Sequence, residues 1–175
     1  MRGGAKAPSF IMQSKEELEL WYRNPDPWNY KNTPADLKRK AELIMALNEV
    51  NSFNEYERAL DIGAGEGFVT TSLPAKEIHA IEISDIAASR LPSNVQRVMA
   101  PCVKKYDLVM TTGTLYKQYD HKQIKDWIES CSNRHILVAG IRDWLIDYKF
   151  GKVIFEKEFA YREIQQRVII YEIST

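Results

Sequence analysis

The stretch that decides the fold reads Ala59-Leu60-Asp61-Ile62-Gly63-Ala64-Gly65-Glu66-Gly67-Phe68-Val69. An apolar run meets an acid, then three glycines at every second position, then a segment with helical character. Because glycine has no Cβ, the chain can turn sharply there and a ligand can lie against bare backbone. Open α/β folds place nucleotide-like ligands at such a strand–turn–helix junction, at the carboxyl end of a parallel sheet.

A second acid, Glu82, closes the next apolar run, which covers Ile78 to Ile83. It follows at about 20 residues, the distance at which a second-strand carboxylate reaches ribose hydroxyls in doubly wound folds. The dinucleotide fingerprint also requires a third small residue, so that the helix packs closely on the strand. Phe68 stands at that position and is bulky, which argues against a dinucleotide.

Asp61 through Gly67 match in full the Asp/Glu-x-Gly-x-Gly-x-Gly motif of class I S-adenosylmethionine (SAM)-dependent methyltransferases, which the sequence resembles. SAM carries a cationic amine and a sulfonium, and an acid at the strand end suits that charge. The resemblance implies that SAM is the cofactor and S-adenosylhomocysteine the product. It further implies cofactor contacts from the following residues: Asp61, Gly63, Ala64, Gly65, Gly67, Glu82, Ile83, Thr112 and Trp28.

The order of elements predicts an α/β fold of the Rossmann-like type. Strands are predicted at 58–62, 77–83, 95–99, 106–112 and 135–141, with helices at 34–47, 67–73, 84–91 and 123–131. Alternating strands and helices imply a mostly parallel sheet with right-handed crossovers and helices on both faces. Residues 152–160 and 167–173 alternate in polarity and predict a closing antiparallel hairpin, like the sixth and seventh methyltransferase strands.

Three regions divide the chain: a disordered lead-in at 1–12, an aromatic lid segment at 13–33 and the methyltransferase domain at 34–175. Ser14 and Glu17 predict a capping box. Thr33 and Pro34 predict the start of a helix in which Leu37, Ala41, Ile44 and Leu47 face inward, while the run Lys38 to Lys40 is solvated. The lid segment is rich in aromatic side chains, Trp21 and Trp28 among them, which either pack plainly on the domain or close over the cofactor.

The segment after strand four, Thr111 to His121, faces both cofactor and acceptor in the family that the chain resembles. His121 is the predicted base for a hydroxyl acceptor, and Tyr116 is a second predicted catalytic residue. Predicted acceptor contacts on neighbouring loops are Tyr119, Arg142 and Asp143. The position that often holds an acid for adenine reads Ala100-Pro101-Cys102, which predicts a backbone or water contact instead. Four features together are similar to the nodulation-factor N-methyltransferase group: Asp26-Pro27-Trp28, the basic helix at 34–47, the glycine motif and the Leu115-Tyr116 turn.

Composition narrows the function. The 175 residues carry a net charge of +0, which argues against a polyanionic partner such as nucleic acid. Cys102 and Cys131 lack metal-ligand spacing, so no metal site is predicted, and no apolar run predicts a signal peptide or a membrane span. The sequence thus predicts a cytoplasmic SAM-dependent methyltransferase that modifies nitrogen or oxygen of a small molecule or sugar. Two alternatives stay open: an RNA or protein methyltransferase, and a non-catalytic SAM-binding or partner subunit.

Overall fold

The computed structural model describes residues 14–99 and 105–174. The predicted lead-in at 1–12 and the Ala100-Pro101-Cys102 position lie outside these residues. The helices are α1 (Lys15–Trp21), α2 (Pro34–Val50), α3 (Asp85–Ala88) and α4 (His121–Cys131). The strands are β1 (Tyr56–Ile62), β2 (Ala75–Ile81), β3 (Val95–Arg97), β4 (Tyr106–Thr112), β5 (Ser132–Ile141), β6 (Lys152–Tyr161) and β7 (Ile164–Glu172).

The strands form one sheet in the order β3-β2-β1-β4-β5-β7-β6. The first five are parallel, and β7 lies antiparallel between β5 and β6. The predicted mostly parallel sheet with a closing antiparallel hairpin is therefore confirmed. Because β7 runs against β5, Ile141 at the carboxyl end of β5 pairs with Gln166 near the start of β7. The β6–β7 turn consequently lies at the same edge of the sheet as the Gly63–Gly67 turn.

Two apolar layers cover the sheet. On one face α2 packs Leu43, Ala46 and Leu47 against Ala59 and other residues of the strands. On the other face α4 contributes Ile128 and Cys131 to a second core. Side chains alternate between faces along a strand, so Asp61, between Leu60 and Ile62 of the α4 side, points towards α2.

The connections are shorter than the sequence predicts. The helix predicted at 67–73 is wrong: a single 3₁₀ turn, Thr70–Ser72, joins β1 to β2. Gly63, Gly65 and Gly67 all adopt positive φ, which no helix can include, and Pro74 follows too soon for a full helix to form. Strand β2 ends at Ile81, so Glu82 and Ile83 follow the strand rather than end it.

The predicted inward face of α2 is confirmed at Leu47 and partly at Ile44, which packs against the core, but it is wrong for the first two turns. Leu37 is 50% exposed and Ala41 is exposed, whereas Asp36 and Arg39 are buried along with Leu43, Ala46 and Leu47. The buried face of α2 is therefore rotated away from the face that the apolar residues predict, because two charged residues occupy the first turns of the buried face. At the helix start, the Thr33 hydroxyl donates to the Asn29 carbonyl (2.6 Å) rather than capping α2. The capping box of α1 is confirmed: Ser14 and Glu17 exchange hydrogen bonds, each 3.2 Å long.

Candidate cofactor site

The glycine turn is held tightly by its neighbours. Gly63, Gly65 and Gly67 have φ values of +80°, +58° and +82°, a region that L side chains rarely adopt. A Cβ on Gly65 would stand 2.8 Å from the Tyr22 hydroxyl, and one on Gly67 would stand 2.7 Å from Pro92 Cδ. A Cβ on Gly63 would collide with Thr114 from the loop after β4. Bare backbone is therefore a steric requirement of the turn.

Asp61 is a buried acid with spare hydrogen-bonding capacity. Its side chain is 2% exposed, and Oδ2 accepts a 2.6 Å hydrogen bond from Thr70 Oγ1. Oδ1 has no hydrogen-bond partner among the described residues. Burial raises the pKa of Asp61 to about 7, the nearby charge of Glu82 adds to this rise, and Thr70 and Arg39 oppose it. A buried, half-satisfied carboxylate is costly on its own and would be stabilised by a cationic donor.

Glu82 lies beside the same turn, directly after β2. Its carboxylate is 7% exposed and accepts hydrogen bonds from the backbone N–H groups of Gly65 (2.7 Å) and Ser84 (3.0 Å). Burial raises the pKa of Glu82, and those two backbone hydrogen bonds oppose the rise. Because each carboxylate oxygen has two acceptor positions, Glu82 can still accept from a ligand hydroxyl. Next to it, Ile83 leaves 45% of its surface exposed.

The segment before α2 covers the glycine turn. The Asp26 N–H donates to Glu66 Oε1 (2.7 Å), and Arg90 donates both to the Tyr22 carbonyl (2.7 Å) and to Glu66 Oε2 (3.2 Å). Tyr22 is 7% exposed, and burial followed by the charge of Glu82 raises the pKa of its hydroxyl. Glu66, which stands between two glycines of the motif, therefore fastens the covering segment to the turn.

Aromatic rings continue this cover. Trp28 lies 5.1 Å from Trp21 and 6.3 Å from Tyr30 between ring centroids, and Tyr30 lies 5.5 Å from Phe68 of the turn. Trp28, a predicted cofactor contact, is 37% exposed and forms the middle of this chain of rings. The sequence predicted an aromatic lid segment, and these contacts bring it against the glycine turn.

Two charged residues of α2 belong to the same region, and the sequence prediction missed both. Arg39 is 7% exposed, stands 5.0 Å over the Tyr30 ring, and lies near enough to Asp61 to counter the rise of its pKa. Its Nε donates to the fully buried carboxylate of Asp36 at 3.2 Å. The only available signal was the spacing of Asp36, Arg39, Leu43 and Leu47, which lies on one helix face but begins with two charges.

The loop after β4 also lies against the glycine turn, where Thr114 faces Gly63. Thr111 Oγ1 donates to the Ile62 carbonyl (3.2 Å) and contacts Thr114 Oγ1 closely, and Thr112 is half-buried at the strand end. Tyr116 is 6% exposed, lies against Gly140, and its hydroxyl accepts a hydrogen bond from the Ile141 N–H at 2.9 Å. Burial raises the pKa of Tyr116, so its phenol is kept neutral.

The other predicted acceptor and catalytic residues lie in the loops after β4 and β5 and at the start of α4. Tyr119 and Trp144 pack on Tyr116 at centroid distances of 5.7 and 5.5 Å. Arg142 is paired with Asp143 at 2.9 Å and with Glu158 at 3.3 Å. His121 begins α4, and its Nδ1 lies 2.6 Å from the Tyr148 hydroxyl, within the layer that covers the α4 face. The contacts of His121 thus tie it to Tyr148 rather than to the glycine turn, and its role as base stays a prediction.

Comparison with solved structures identifies the fold class. The N-methyltransferase NodS of Bradyrhizobium japonicum WM9, solved with S-adenosylhomocysteine, superimposes with a TM-score of 0.77 over 92% of this chain and 98% of that chain, at 16% identity. The magnesium protoporphyrin IX methyltransferase ChlM of Synechocystis PCC 6803, solved with SAM, gives 0.65 over 95% and 100%, at 11% identity. No protein-family model matches the sequence, and no curated protein is detectably similar in sequence.

These matches, together with the strand order, show the class I methyltransferase fold, as the resemblance implied. The likeness to NodS is the same one that the sequence suggested from its motifs, and at 16% identity it is a likeness of fold. In residues 14–99 and 105–174, no helix has both the length and the apolar character needed to cross a membrane.

Proposed function

We propose that this protein is a SAM-dependent methyltransferase that acts on nitrogen or oxygen of a small molecule or sugar. The single observation that carries the proposal is the pairing of a bare glycine turn with two buried acids. One of these acids, Asp61, has an oxygen with no partner among the described residues. The solved neighbours with SAM or S-adenosylhomocysteine share the fold and support the same cofactor.

The residues of the site fit the parts of SAM. Asp61 would accept from the cationic amine, Glu82 would accept from the ribose hydroxyls, and exposed Ile83 would pack on the adenine. The buried cation of Arg39 suits the methionine carboxylate, because guanidinium–carboxylate pairs are strong when they are removed from water. When bound, SAM supplies an electrophilic methyl group on sulfur.

The chain's own contribution is positioning and the exclusion of water. Within the lid segment, the part from Trp21 to Tyr30 would close over the cofactor, fastened through Glu66 and Arg90. Tyr116, Tyr119 and Trp144 would form an aromatic wall for the acceptor. A neutral amine acceptor requires no base, whereas a hydroxyl acceptor would rely on the predicted base His121.

The test has two stages. Calorimetry with SAM and S-adenosylhomocysteine should show one site on the folded protein, and absence of binding at millimolar ligand would overturn the proposal. Incubation with methyl-labelled SAM and a panel of amines, sugars, peptides and RNA then separates the readings. Transfer to a small amine or sugar supports the proposal, transfer to a polymer replaces the acceptor class, and binding without transfer to any acceptor points to a non-catalytic subunit.

A further inference from the structure

Asp36 is the centre of a buried polar network that ties α2 to the β6–β7 hairpin. Its carboxylate is 0% exposed and accepts from Tyr161 Oη (2.7 Å), Arg162 Nη2 (3.0 Å) and Arg39 Nε (3.2 Å). A buried charge is tolerated when it is paired and its oxygens are satisfied by hydrogen bonds. The network has two parts: Tyr161 and Arg162 connect Asp36 to the β6–β7 turn (the hairpin arm), and Arg39 connects it towards the glycine turn (the Arg39 arm).

The hairpin arm is geometrically constrained. Tyr161 ends β6, and Arg162 begins the two-residue connection to β7. Arg162 has φ +54°, a left-handed conformation that is uncommon for residues other than glycine. Its guanidinium is bonded to Asp36, so the contact fixes the turn where the hairpin meets the carboxyl edge of the sheet.

The Arg39 arm leads to the glycine turn. Arg39 lies over the Tyr30 ring and is bonded to Asp36, and its charge opposes the rise in the pKa of Asp61, whose side chain projects towards α2. Long arginine side chains have several rotamers, and each one that is immobilised costs conformational entropy. The hydrogen bond to Asp36 selects one of these rotamers before any ligand arrives.

We propose that Asp36 is a positioning residue, held by the β6–β7 turn, that sets the Arg39 guanidinium for the amino-acid carboxylate of the cofactor. The proposal rests on the proposed function, because it presupposes that SAM or S-adenosylhomocysteine occupies the glycine turn. It adds that the hairpin, which is more than a hundred residues from α2 in sequence, determines cofactor affinity.

Two ligands separate positioning from general stability. S-adenosylhomocysteine carries the amino-acid carboxylate, whereas 5′-methylthioadenosine has the same adenosine and sulfur but lacks the amino-acid portion. Calorimetric affinities for both ligands are measured for the wild type, Asp36→Asn and Arg39→Met. The matched control is Glu42→Gln, which breaks an ion pair between α2 and β6, Glu42 with Lys157 (2.7 Å), without touching the network.

Asp36→Asn and Arg39→Met should each weaken S-adenosylhomocysteine by about tenfold or more, the scale of a lost charge-assisted hydrogen bond. Both variants should bind 5′-methylthioadenosine as the wild type does, and Glu42→Gln should leave both affinities unchanged. If Asp36→Asn does not fold, Tyr161→Phe and Arg162→Ala test the hairpin arm and should show the same ligand-specific loss at smaller size.

Two outcomes would overturn the positioning role while leaving the proposed function intact: equal weakening of both ligands, or no weakening of S-adenosylhomocysteine. A wild-type protein that binds neither ligand would instead overturn the proposed function itself, and the positioning role with it. A loss confined to the carboxylate-bearing ligand is the result that the network predicts.

Discussion

The two ends of the sheet handle buried polar groups in opposite ways. From the amino ends of β1 and β4, Tyr56 bonds His135 of β5 across β4 (2.8 Å), and Tyr106 bonds His79 of β2 across β1 (2.7 Å). The two pairs lie on opposite faces, one under α2 and the other under α4. At the carboxyl ends, Asp61 is equally buried but keeps an oxygen with no described partner.

The amino end continues this pattern of internal pairing. His79 Nε2 lies 2.7 Å from Glu77, and Asp107 accepts the backbone N–H groups of Glu57 (2.8 Å) and Arg58 (2.7 Å). An open cleft at this edge is lined by ion-paired side chains such as Arg58 with Glu77 (3.0 Å). Buried polar groups that find hydrogen-bond partners within the chain stabilise the fold, whereas a buried polar group without such a partner indicates a ligand.

The largest effect is expected from Asp61→Asn. The substitution keeps an acceptor for Thr70 but removes the charge that would meet the cofactor amine, so affinity for S-adenosylhomocysteine should fall roughly 100-fold. Thermal stability should stay level or rise, because an ionised buried carboxylate is no longer present. Calorimetry and a melting curve measure both quantities, and a destabilised variant with normal affinity would make Asp61 a structural residue like those at the amino end.

Tyr56→Phe should have the reverse effect of Asp61→Asn: it should lower stability and leave cofactor affinity unchanged. It leaves the buried Nδ1 of His135 without its partner, which should cost about 1–3 kcal/mol of unfolding free energy. Urea denaturation gives that value, and S-adenosylhomocysteine affinity should equal that of the wild type. A clear loss of affinity here would mean that the two ends of the sheet are not independent.

The two ends should also respond oppositely to pH. The folded pKa of Asp61, about 7, lies above the ordinary aspartate value of 3.8, so its contribution to stability is present at low pH and is lost as pH rises through about 7. Burial lowers the pKa of His135 below 6.5, so its contribution is present above 6.5 and is lost as pH falls. Melting curves from pH 5 to 8 should therefore separate when the wild type is compared with Asp61→Asn and, independently, with His135→Gln.

Cofactor binding should release a proton from Asp61. Because the pKa is about 7, the ionised fraction and hence the affinity should rise about tenfold between pH 6 and 8. Calorimetry in buffers of different ionisation enthalpy counts the proton. Asp61→Asn is the control, since it keeps any titration of the ligand itself but removes the contribution of this carboxyl. An identical pH profile in wild type and variant would refute the linkage.

The smallest effect concerns the lid. Tyr22→Phe removes the hydroxyl beside Gly65 and Glu82 but keeps the ring, so the dissociation rate of S-adenosylhomocysteine should rise about threefold, the effect of a weak hydrogen bond. Trp21 and Trp28 lie in this segment and provide an intrinsic fluorescence signal for stopped-flow measurement. A ligand that leaves the fluorescence unchanged would show that the segment packs on the domain without acting as a lid.

Much of the fold follows from local sequence. Strand β4 begins and ends where its apolar run predicts, at Tyr106 and Thr112. The glycine motif places Asp61 and Glu82 at neighbouring strand ends, because parallel strands bring their carboxyl ends to one edge. Periodicity was less informative for the connections: the six residues between Gly67 and Pro74 contain only the 3₁₀ turn Thr70–Ser72.

Local sequence could not predict that Asp36 and Arg39 are buried. Asp36 looks solvated in sequence because its partners Tyr161 and Arg162 are more than a hundred residues away, and Arg39 is buried through its bond to Asp36. Hydrophobic periodicity assigns charges to the outside, and only the tertiary pairing of α2 with the β6–β7 turn reverses that assignment. Tyr22 escaped prediction for the same reason, since its place beside Gly65 depends on how the lid segment folds back.

The most direct test is a crystal structure of the protein with S-adenosylhomocysteine. The account predicts the ligand amine within hydrogen-bond distance of Asp61 Oδ1, the ribose hydroxyls on Glu82 and the carboxylate on Arg39. Ligand density elsewhere, or an Asp61 oxygen that meets only protein or water beside a bound ligand, would contradict it.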